Sequence, residues 1–311
     1  MTTDSDYQSL HGAQTKDTAQ GESNDHDQIE VMPRGAGPQE PRSLPAVCFE
    51  LQAKVDALLS EKTDDPVLRR VQEQVGVSMG VIRDALRRYG SDQLSLSYNG
   101  GKDCLVLLVL ILACLPRSLS RQQSSPESHL APTIDRASPA GPQRTPASHD
   151  ESPSQHLQAI YIVSSDPFAE VEDFVAESAK QYHLDLKRYA LPMRPALEAY
   201  LHDCPGVKAI FLGTRRTDPH GEFLTHFDPT DAGWPQFMRI HPVIDWHYVD
   251  IWAFIRHLQI PFCELYNRGF TSLGGVTNTR PNPALAVSGD TSTFRPAYEL
   301  RDDDEERLGR D

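Results

Sequence analysis

The sequence predicts an α/β fold, a three-layer sandwich in which a mainly parallel sheet carries helices on both faces. Short apolar runs with strand character alternate with helix-periodic segments between residues 94 and 258. This alternation is typical of a parallel sheet covered on both sides. A second indication is the run Cys104–Leu115, which is apolar on every side of a helix and so predicts burial on more than one face. We find no internal repeat.

The elements follow from periodicity and from the residues that bound them. Gly90 is a stop signal for the second helix, Pro116 is expected to end the third, and Asp245 is the expected N-cap of the last. Predicted strands cover residues 94–98, 157–163, 184–189 and 208–213, and predicted helices cover 49–59, 66–88, 104–115, 171–182, 194–202 and 246–258.

Part of the chain is expected to lie outside the core. Hydrophobic residues make up 39% of the 311 residues, which is low for a compact chain of this length. Residues 1–46 are polar and without periodicity, so we predict a disordered segment. Residues 116–156 hold seven prolines and nine serines and read as a low-complexity insertion. The predicted domain is therefore 47–311, interrupted at 116–156.

Charge and composition narrow the class of protein. The net charge is −14, of which residues 1–46 supply −5 and residues 301–311 supply −3, so a nucleic-acid partner is not expected. The longest apolar run has 12 residues, fewer than the roughly 18 that would indicate a membrane span. The five cysteines and twelve histidines show no metal-binding spacing. We expect a soluble, cytoplasmic monomer whose partners are small molecules.

A strand, a glycine turn and a helix meet at NGGKD, residues 99–103. This arrangement suits phosphate, because unpaired N–H groups at a helix amino end attract anions. Gly100 and Gly101 permit close approach of the backbone, and Lys102 adds positive charge. The pattern is not a Walker A loop. Gly213 follows another strand, so its loop is expected at the same sheet edge.

Several motifs carry a family resemblance. SYNGGKD (97–103) resembles the PP-loop of the PAPS-reductase-like branch of the adenine nucleotide α-hydrolase superfamily. The chain over roughly 47–115 and 157–310 is similar to single-function, fungal-type FAD synthases. The motifs that carry this similarity are GTRRTDP (213–219), DAGWPQFMRIHPVIDW (231–246), ELYNRGFTSLG (264–274), NTRPNP (278–283) and RPAYELRDDDEERLGR (295–310). A bifunctional form with a molybdopterin-binding domain would need more chain.

The resemblance implies an FMN adenylyltransferase that uses ATP, FMN and Mg²⁺ and makes FAD and pyrophosphate. It assigns ATP binding to Ser97, Asn99, Gly100, Gly101, Lys102, Gly213 and Arg215. It assigns flavin binding to Asp231, Trp234, Asn278, Arg307 and Arg310. The expected catalytic set is Lys102, Asp103, Asp218, Asp231, Arg307 and Arg310, with Asp103 as the candidate Mg²⁺ ligand, directly or through water.

Plainer interpretations accompany these roles. Lys102 alone would be a solvated loop lysine, Asp103 a helix cap and Trp234 a core residue. The run Asp302–Glu306 is expected to be a solvated helix face rather than a metal site. Three other functions are alternatives. A PAPS/APS-reductase-like enzyme would need a reactive cysteine near the chain end, whereas the last cysteine is Cys263. A non-catalytic flavin- or nucleotide-binding module would bind without turnover, and a tRNA-modifying enzyme is disfavoured by the charge.

Overall fold

The computed structural model describes residues 42–122, 156–287 and 290–311. The predicted disordered segment 1–46 lies outside the described residues up to residue 41, and residues 44–46 belong to the first helix. Of the predicted insertion 116–156, residues 123–155 lie outside the described part.

The described elements alternate as the sequence predicts. The helices are α1 (Leu44–Ser60), α2 (Pro66–Tyr89), α3 (Lys102–Gln122), α4 (Ala169–Gln181), α5 (Met193–Asp203) and α6 (Tyr248–His257). The strands are β1 (Leu94–Ser97), β2 (Leu157–Ile162), β3 (Leu184–Tyr189), β4 (Ala209–Phe211), β5 (Phe227–Pro229), β6 (Met238–Ile240), β7 (Ala286–Val287) and β8 (Asp290–Phe294). Short 3₁₀ turns occur between residues 264 and 305.

Six strands form one sheet in the order β3-β2-β1-β4-β6-β5. All neighbours run parallel except β5, which pairs antiparallel with β6 at the edge. The chain adds β2 and β3 to one side of β1 and the later strands to the other, so the order reverses between β1 and β4. Such a switch point leaves a crevice at the carboxyl ends of the two strands.

Side chains on the two sheet faces enter two separate cores. Ala159 and Ala209 face the larger core, which contains α1, α2, α3 and α6. Their neighbours Ile160 and Ile210 face the smaller core, where Tyr200 of α5 packs. This alternation, which follows from the two-residue period of a strand, confirms helices on both faces of the sheet.

The apolar helix α3 is the centre of the larger core. Every residue from Cys104 to Cys114 is at most 5% exposed, as its all-round apolarity predicts. The prediction that Pro116 ends this helix is wrong, because α3 continues through Pro116 to Gln122. A proline removes one N–H and crowds the preceding turn, but the helix on either side can persist around it. Within the described residues, no helix has the length and apolar character to cross a membrane.

Two further expectations fail at the edge of the sheet. Asp245 does not cap α6; it pairs with Arg216, and the N-cap is His247, whose backbone N–H donates to Asp250. The strands β5 and β6 lie outside the segments that the sequence predicts as strands. Each has three residues, too few for a recognisable alternation, and β5 includes a proline that is tolerated at an edge.

Candidate active site

A cleft of about 530 Å³ opens beyond the carboxyl ends of the central parallel strands. β1 and β4 end at Ser97 and Phe211, and the loops after both contribute to its wall. The volume lies in the range of roughly 300–1,000 Å³ typical of ligand sites. Eleven of the predicted site residues line it: Ser97, Asn99, Gly101, Lys102, Asp103, Gly213, Asp218, Asp231, Trp234, Arg307 and Arg310.

Hydrogen bonds hold the NGGKD turn at the edge of the cleft. The N–H of Gly101 donates to Asn99 Oδ1 at 3.0 Å, and the N–H of Lys102 donates to Tyr266 Oη at 2.9 Å. Gly100 has a φ of 73°, and a Cβ there would lie 2.8 Å from Val175 Cγ2. The turn therefore requires glycine, and it places the amino end of α3, which favours anions, beside the cleft.

Gly213 brings the loop after β4 against the same helix end. A Cβ at this position would lie 2.8 Å from the backbone nitrogen of Cys104 and 3.1 Å from the carbonyl carbon of Asp103. Both are backbone atoms of a buried helix, so they cannot move aside. Only glycine allows this approach, which joins the β1 and β4 loops into one surface.

Four charged side chains form a buried network in and behind the cleft wall, and Asp303 lies at its edge, 3.6 Å from Arg215 Nη1. Lys102 Nζ lies 2.9 Å from Asp103 Oδ2 and 2.5 Å from Glu306 Oε1. Arg215 Nε lies 2.8 Å from Asp103 Oδ1, and Arg215 Nη2 contacts the second Glu306 oxygen. Because Lys102 is 2% exposed and Arg215 is fully buried, both cations need these carboxylates to remain charged.

The network stays ionised but carries no net positive charge. Burial opposes the charge of Lys102, yet Asp103 and Glu306 outweigh that effect and raise the pKa of Lys102. Burial also opposes ionisation of Asp103, while Arg215 and Lys102 lower the pKa of that carboxyl. Two positive charges face the carboxylates of Asp103 and Glu306, and Asp303 adds a third negative charge beside Arg215. The network therefore fixes the turn in place, but supplies no net positive charge for a phosphate.

Positive charge inside the cleft comes from the end of the chain. Arg310 Nη1 donates to the carbonyl oxygen of Leu273 at 2.9 Å, which leaves the guanidinium half-buried in the cleft wall. Its Nε is buried and has no acceptor among the described residues. Burial and the neighbouring Arg307 lower the pKa of Arg310. An anion in the cleft would offset the repulsion between the two arginines.

Two carboxylates and an indole ring also line the cleft: Asp218, Asp231 and Trp234. Asp218 Oδ2 accepts a hydrogen bond from the backbone N–H of Arg215 at 2.8 Å, which ties this carboxylate to the buried network. Asp231 is 72% exposed and lies 3.4 Å from Arg239 Nη2. Trp234 is 39% exposed. A partly exposed indole in a cleft offers a flat face to an aromatic ligand.

Apolar side chains complete the wall. They come from β2, α5 and β4 and from the loops beside β6, on the sheet face that carries the smaller core: Ile160, Ile162, Met193, Leu197, Ile210, Leu212 and Phe237. The cleft thus combines a helix amino end and two arginines with an apolar surface. A ligand that joins phosphates to a planar ring would match both parts.

Three predicted residues are not part of the cleft wall. Gly100 packs against Val175 and shapes the turn, and Arg215 lies in the buried network. Asn278 is exposed and makes local bonds: its Oδ1 accepts from the N–H of Gly275 at 3.1 Å, and its carbonyl accepts from Asp311. Asn278 therefore supports the segment that pairs with the chain end, where Thr279 bridges to Arg310.

Comparisons with known proteins agree with this geometry. A family model described as the phosphoadenosine phosphosulfate reductase domain matches residues 190–281. A probable FAD synthase of Schizosaccharomyces pombe is 36% identical over 240 residues, a match that covers 77% of this chain and 80% of that one. The chain belongs to the FAD synthase family. The predicted membership in the PAPS-reductase-like branch of PP-loop proteins is confirmed.

Other FAD synthase relatives support the same family. The flavin adenine dinucleotide synthase of Saccharomyces cerevisiae is 32% identical over 214 residues, 67% of this chain and 64% of that one. A probable FAD synthase of Caenorhabditis elegans is 30% identical, and the match covers 84% of this chain but 45% of that longer protein. The crystal structure of Candida glabrata FMN adenylyltransferase with FAD and inorganic pyrophosphate aligns with a TM-score of 0.75 at 28% identity, over 88% of this chain and 98% of that chain.

The structure of this FAD synthase also reveals cleft residues that the sequence does not single out. The prediction of a solvated face is wrong for Glu306, which is 5% exposed and bonded to two cations. Tyr266 and Arg239 line the cleft as well. All three lie inside the quoted family motifs, which is the signal that could have found them. The contacts of Glu306 and Tyr266 join segments distant in the chain, which periodicity does not reveal.

The buried cysteines do not favour the alternative of a PAPS/APS-reductase-like enzyme, which needs a reactive thiol. Burial raises the pKa of Cys104, the cysteine in the cleft wall, to about 12. Cys263 is 1% exposed, and burial raises its pKa too. Since thiol chemistry requires a thiolate, neither residue is suited to it.

Proposed function

We propose that this FAD synthase transfers AMP from ATP to the phosphate of FMN, forming FAD and releasing pyrophosphate, in the cleft between the NGGKD turn and the terminal arginines. The observation that carries the proposal is that Lys102 and Arg310, 208 positions apart in the chain, line one cleft together with Trp234. The cavity thus combines a glycine turn suited to a nucleotide, an arginine that can bind an anion, and an aromatic ring. This combination matches a reaction between ATP and a flavin phosphate.

The transfer itself is a displacement at phosphorus. An oxygen of the FMN phosphate attacks the α-phosphorus of ATP, the new P–O bond forms, and the bond from the α-phosphorus to the bridging oxygen of pyrophosphate breaks. The second pKa of a phosphate monoester is about 6, so FMN is mostly a dianion at neutral pH and needs no general base. Alignment of two bound anions can supply on the order of 7–11 kcal/mol of the barrier reduction.

The phosphates would lie between the amino end of α3 and Arg310. The amino end of a helix favours anions, and the guanidinium of Arg310 in the cleft wall would add positive charge. Arg307 would add charge as pyrophosphate leaves. Lys102 would act mainly by holding the turn, because Asp103 and Glu306 already occupy its ammonium group.

The flavin would occupy the apolar wall beside Trp234. The ring offers a stacking or edge contact to a flat heterocycle. Asp231, which is exposed next to it, is placed to accept hydrogen bonds from polar flavin groups. Asp218 lies between this region and the buried network, where a carboxylate can orient a hydroxyl or a hydrated cation.

Mg²⁺ fits this site as a partner of the ATP phosphates. Among the described residues, no group of three or more histidine, cysteine or acidic side chains could hold a metal ion. Mg²⁺ is usually held by one or two carboxylates together with substrate phosphates, so this arrangement suits it. Both oxygens of Asp103 face cations, so Asp103 would contribute through water and Asp218 is the better direct candidate. When bound, the ion would neutralise triphosphate charge.

The test is a product assay. Purified protein is incubated with FMN, ATP and MgCl₂, and FAD and pyrophosphate are measured by chromatography and an enzymatic pyrophosphate assay. We expect the two products in equal amounts. Parallel reactions replace ATP by CTP, or both substrates by a sulfonucleotide and a thiol donor. Binding of FMN and ATP without FAD would indicate a non-catalytic module, and turnover of the sulfonucleotide alone would contradict the proposal.

A further inference from the structure

The segment 306–310 spans the cleft between two anchors. At one end, the side chain of Glu306 joins Lys102 to Arg215, and its carbonyl oxygen accepts a hydrogen bond from Thr271 Oγ1 at 2.6 Å. At the other end, Arg310 donates to the carbonyl oxygen of Leu273 at 2.9 Å and bridges to Thr279. We call residues 306–310 the terminal strap. Its position depends on these two ends.

Arg307 is the exposed cation between the anchors. Its side chain lines the cleft, and within the described ranges it makes no side-chain hydrogen bond or ion pair of its own. Its backbone carbonyl accepts from the N–H of Arg310 at 2.9 Å. Arg307 is therefore placed by the backbone of the strap, and the residue immediately before it is the buried Glu306.

We infer that Glu306 is a positioning residue for adenylyl transfer, which acts by anchoring the terminal strap so that Arg307 faces the reacting phosphates. This inference rests on the proposed function. Glu306 is suited to the task because one carboxylate contacts two buried cations from two other segments, the NGGKD turn and the loop after β4. The nucleotide turn and the terminal arginines are thereby linked through a single side chain.

The charge of Glu306 is as important as its shape. A glutamine at this position could accept one hydrogen bond, but its amide nitrogen would face a second donor from Lys102 or Arg215. The two buried cations would also lose one of the negative charges that balance them. Both effects favour release of the Glu306 end of the strap, and a reacting group displaced by about 1 Å can lower turnover about 100-fold.

The experiment is a double-mutant cycle between Glu306→Gln and Arg307→Ala, measured as kcat/KM for FMN at saturating ATP. Alone, Glu306→Gln should lower kcat/KM between about tenfold and 100-fold. In the Arg307→Ala background, Glu306→Gln should lower kcat/KM by less than about threefold. The cation through which Glu306 acts is then absent, and saturating ATP offsets a weaker hold on the NGGKD turn. If the fold-changes in kcat/KM of the two single variants multiply to give that of the double variant, the inference is overturned.

Glu305→Gln is the matched control, since it removes the same charge from the adjacent residue. Glu305 contacts neither Lys102 nor Arg215 in the described structure, and this variant should keep kcat/KM within about twofold of wild type. Wild type and Glu305→Gln must both form FAD. If neither does, the proposed function fails, whereas an active control with an unaffected Glu306→Gln rejects only the positioning role.

Thr271→Val provides a second test that leaves the ion network intact. It removes the hydroxyl that donates to the Glu306 carbonyl while keeping the side-chain volume. If Glu306→Gln fails to fold because residue 306 is buried, the kinetics of Thr271→Val decide whether Glu306 is a positioning residue. We expect a lower kcat/KM for FMN that again does not multiply with Arg307→Ala. A lower melting temperature with wild-type kinetics well below that temperature would show a purely structural role and contradict the inference.

Discussion

The guanidinium of Arg310 lies directly over Gly274, so closely that a Cβ on residue 274 would be 2.4 Å from Arg310 Cζ. The two residues belong to different motifs, 36 positions apart. Glycine at position 274 thus provides the space that the half-buried guanidinium of Arg310 occupies in the cleft wall.

Gly274→Ala should therefore displace Arg310 and reproduce the effect of Arg310→Ala. The methyl group would meet the flexible end of a side chain, so the fold can adapt while the guanidinium moves. We expect both variants to lower kcat by on the order of 10²-fold, as loss of one preorganised donor does in other sites. The melting temperature should change little. Steady-state FAD formation and a thermal melt measure the two effects.

Gly80→Ala is a control for the glycine substitution. Gly80 is an exposed residue of α2, and a Cβ added there would have nothing within 4 Å. Alanine should stabilise the protein by about 0.5–1 kcal/mol and leave FAD formation unchanged. Wild-type activity of Gly274→Ala would remove Arg310 from the reaction.

Tyr266→Phe should weaken ATP binding more than FMN binding. The phenol oxygen accepts the N–H of Lys102, and its loss leaves a buried donor unpaired at the start of α3, at a cost of about 1–3 kcal/mol. The turn should become less well ordered, and KM for ATP should rise severalfold, as measured by initial rates at varied ATP.

Tyr248→Phe is the matched control for that substitution. Its hydroxyl donates to the carbonyl oxygen of Ala297 at 2.8 Å, away from the turn, and phenylalanine keeps the ring over Lys102. We expect Tyr248→Phe to lower the melting temperature about as much as Tyr266→Phe does, without a change in KM for ATP. Equal effects of the two substitutions on KM would contradict a specific role for Tyr266.

Alkylation with iodoacetamide at neutral pH should leave FAD synthesis intact. Burial raises the pKa of Cys104 to about 12, so almost no thiolate is present in the cleft. Cys204 is partly exposed and is the expected site of modification among the described cysteines. The readouts are residual activity and mass spectrometry of the treated protein. Inactivation by iodoacetamide that ATP prevents would contradict this prediction and favour the PAPS/APS-reductase-like alternative.

His241 should make the folded state sensitive to mild acid. Burial lowers its pKa to about 4, and both ring nitrogens lack hydrogen-bond partners among the described residues. The unfolded state binds a proton near pH 6.5, so the free energy of unfolding falls as pH decreases from 6.5 toward 4, by about 1.4 kcal/mol per unit of pKa difference. Urea unfolding of wild type and His241→Leu across this range measures the difference.

The leucine variant should show a shallower decline in stability over the same pH range. Carboxylates with lowered pKa values, Asp103 among them, lose their contribution at lower pH, because they protonate below the normal carboxyl range. Parallel pH profiles of the two proteins from about pH 6.5 down to about pH 4.5 would show that His241 does not titrate as proposed.

Much of the fold is predictable because its signals are local. The two-residue and 3.6-residue periods of apolar side chains locate β1 to β4 and the six helices, and the all-round apolarity of α3 predicts its central place. The errors fall where local chemistry is ambiguous, as at Pro116 and Asp245, or where a strand has three residues, as in β5 and β6.

The sequence by itself determined the alternation of strands and helices, the glycine turn and the motifs that mark the family. Only the tertiary structure decided that Glu306 is buried between Lys102 and Arg215 and that carboxylates balance these cations. It also decided that Arg310, unlike Lys102, lines the cleft without a carboxylate partner among the described residues. Periodicity reports which side of an element is buried. The pairing of charges depends on which distant segments the sheet brings together, since Coulomb energies vary with separation and burial in space.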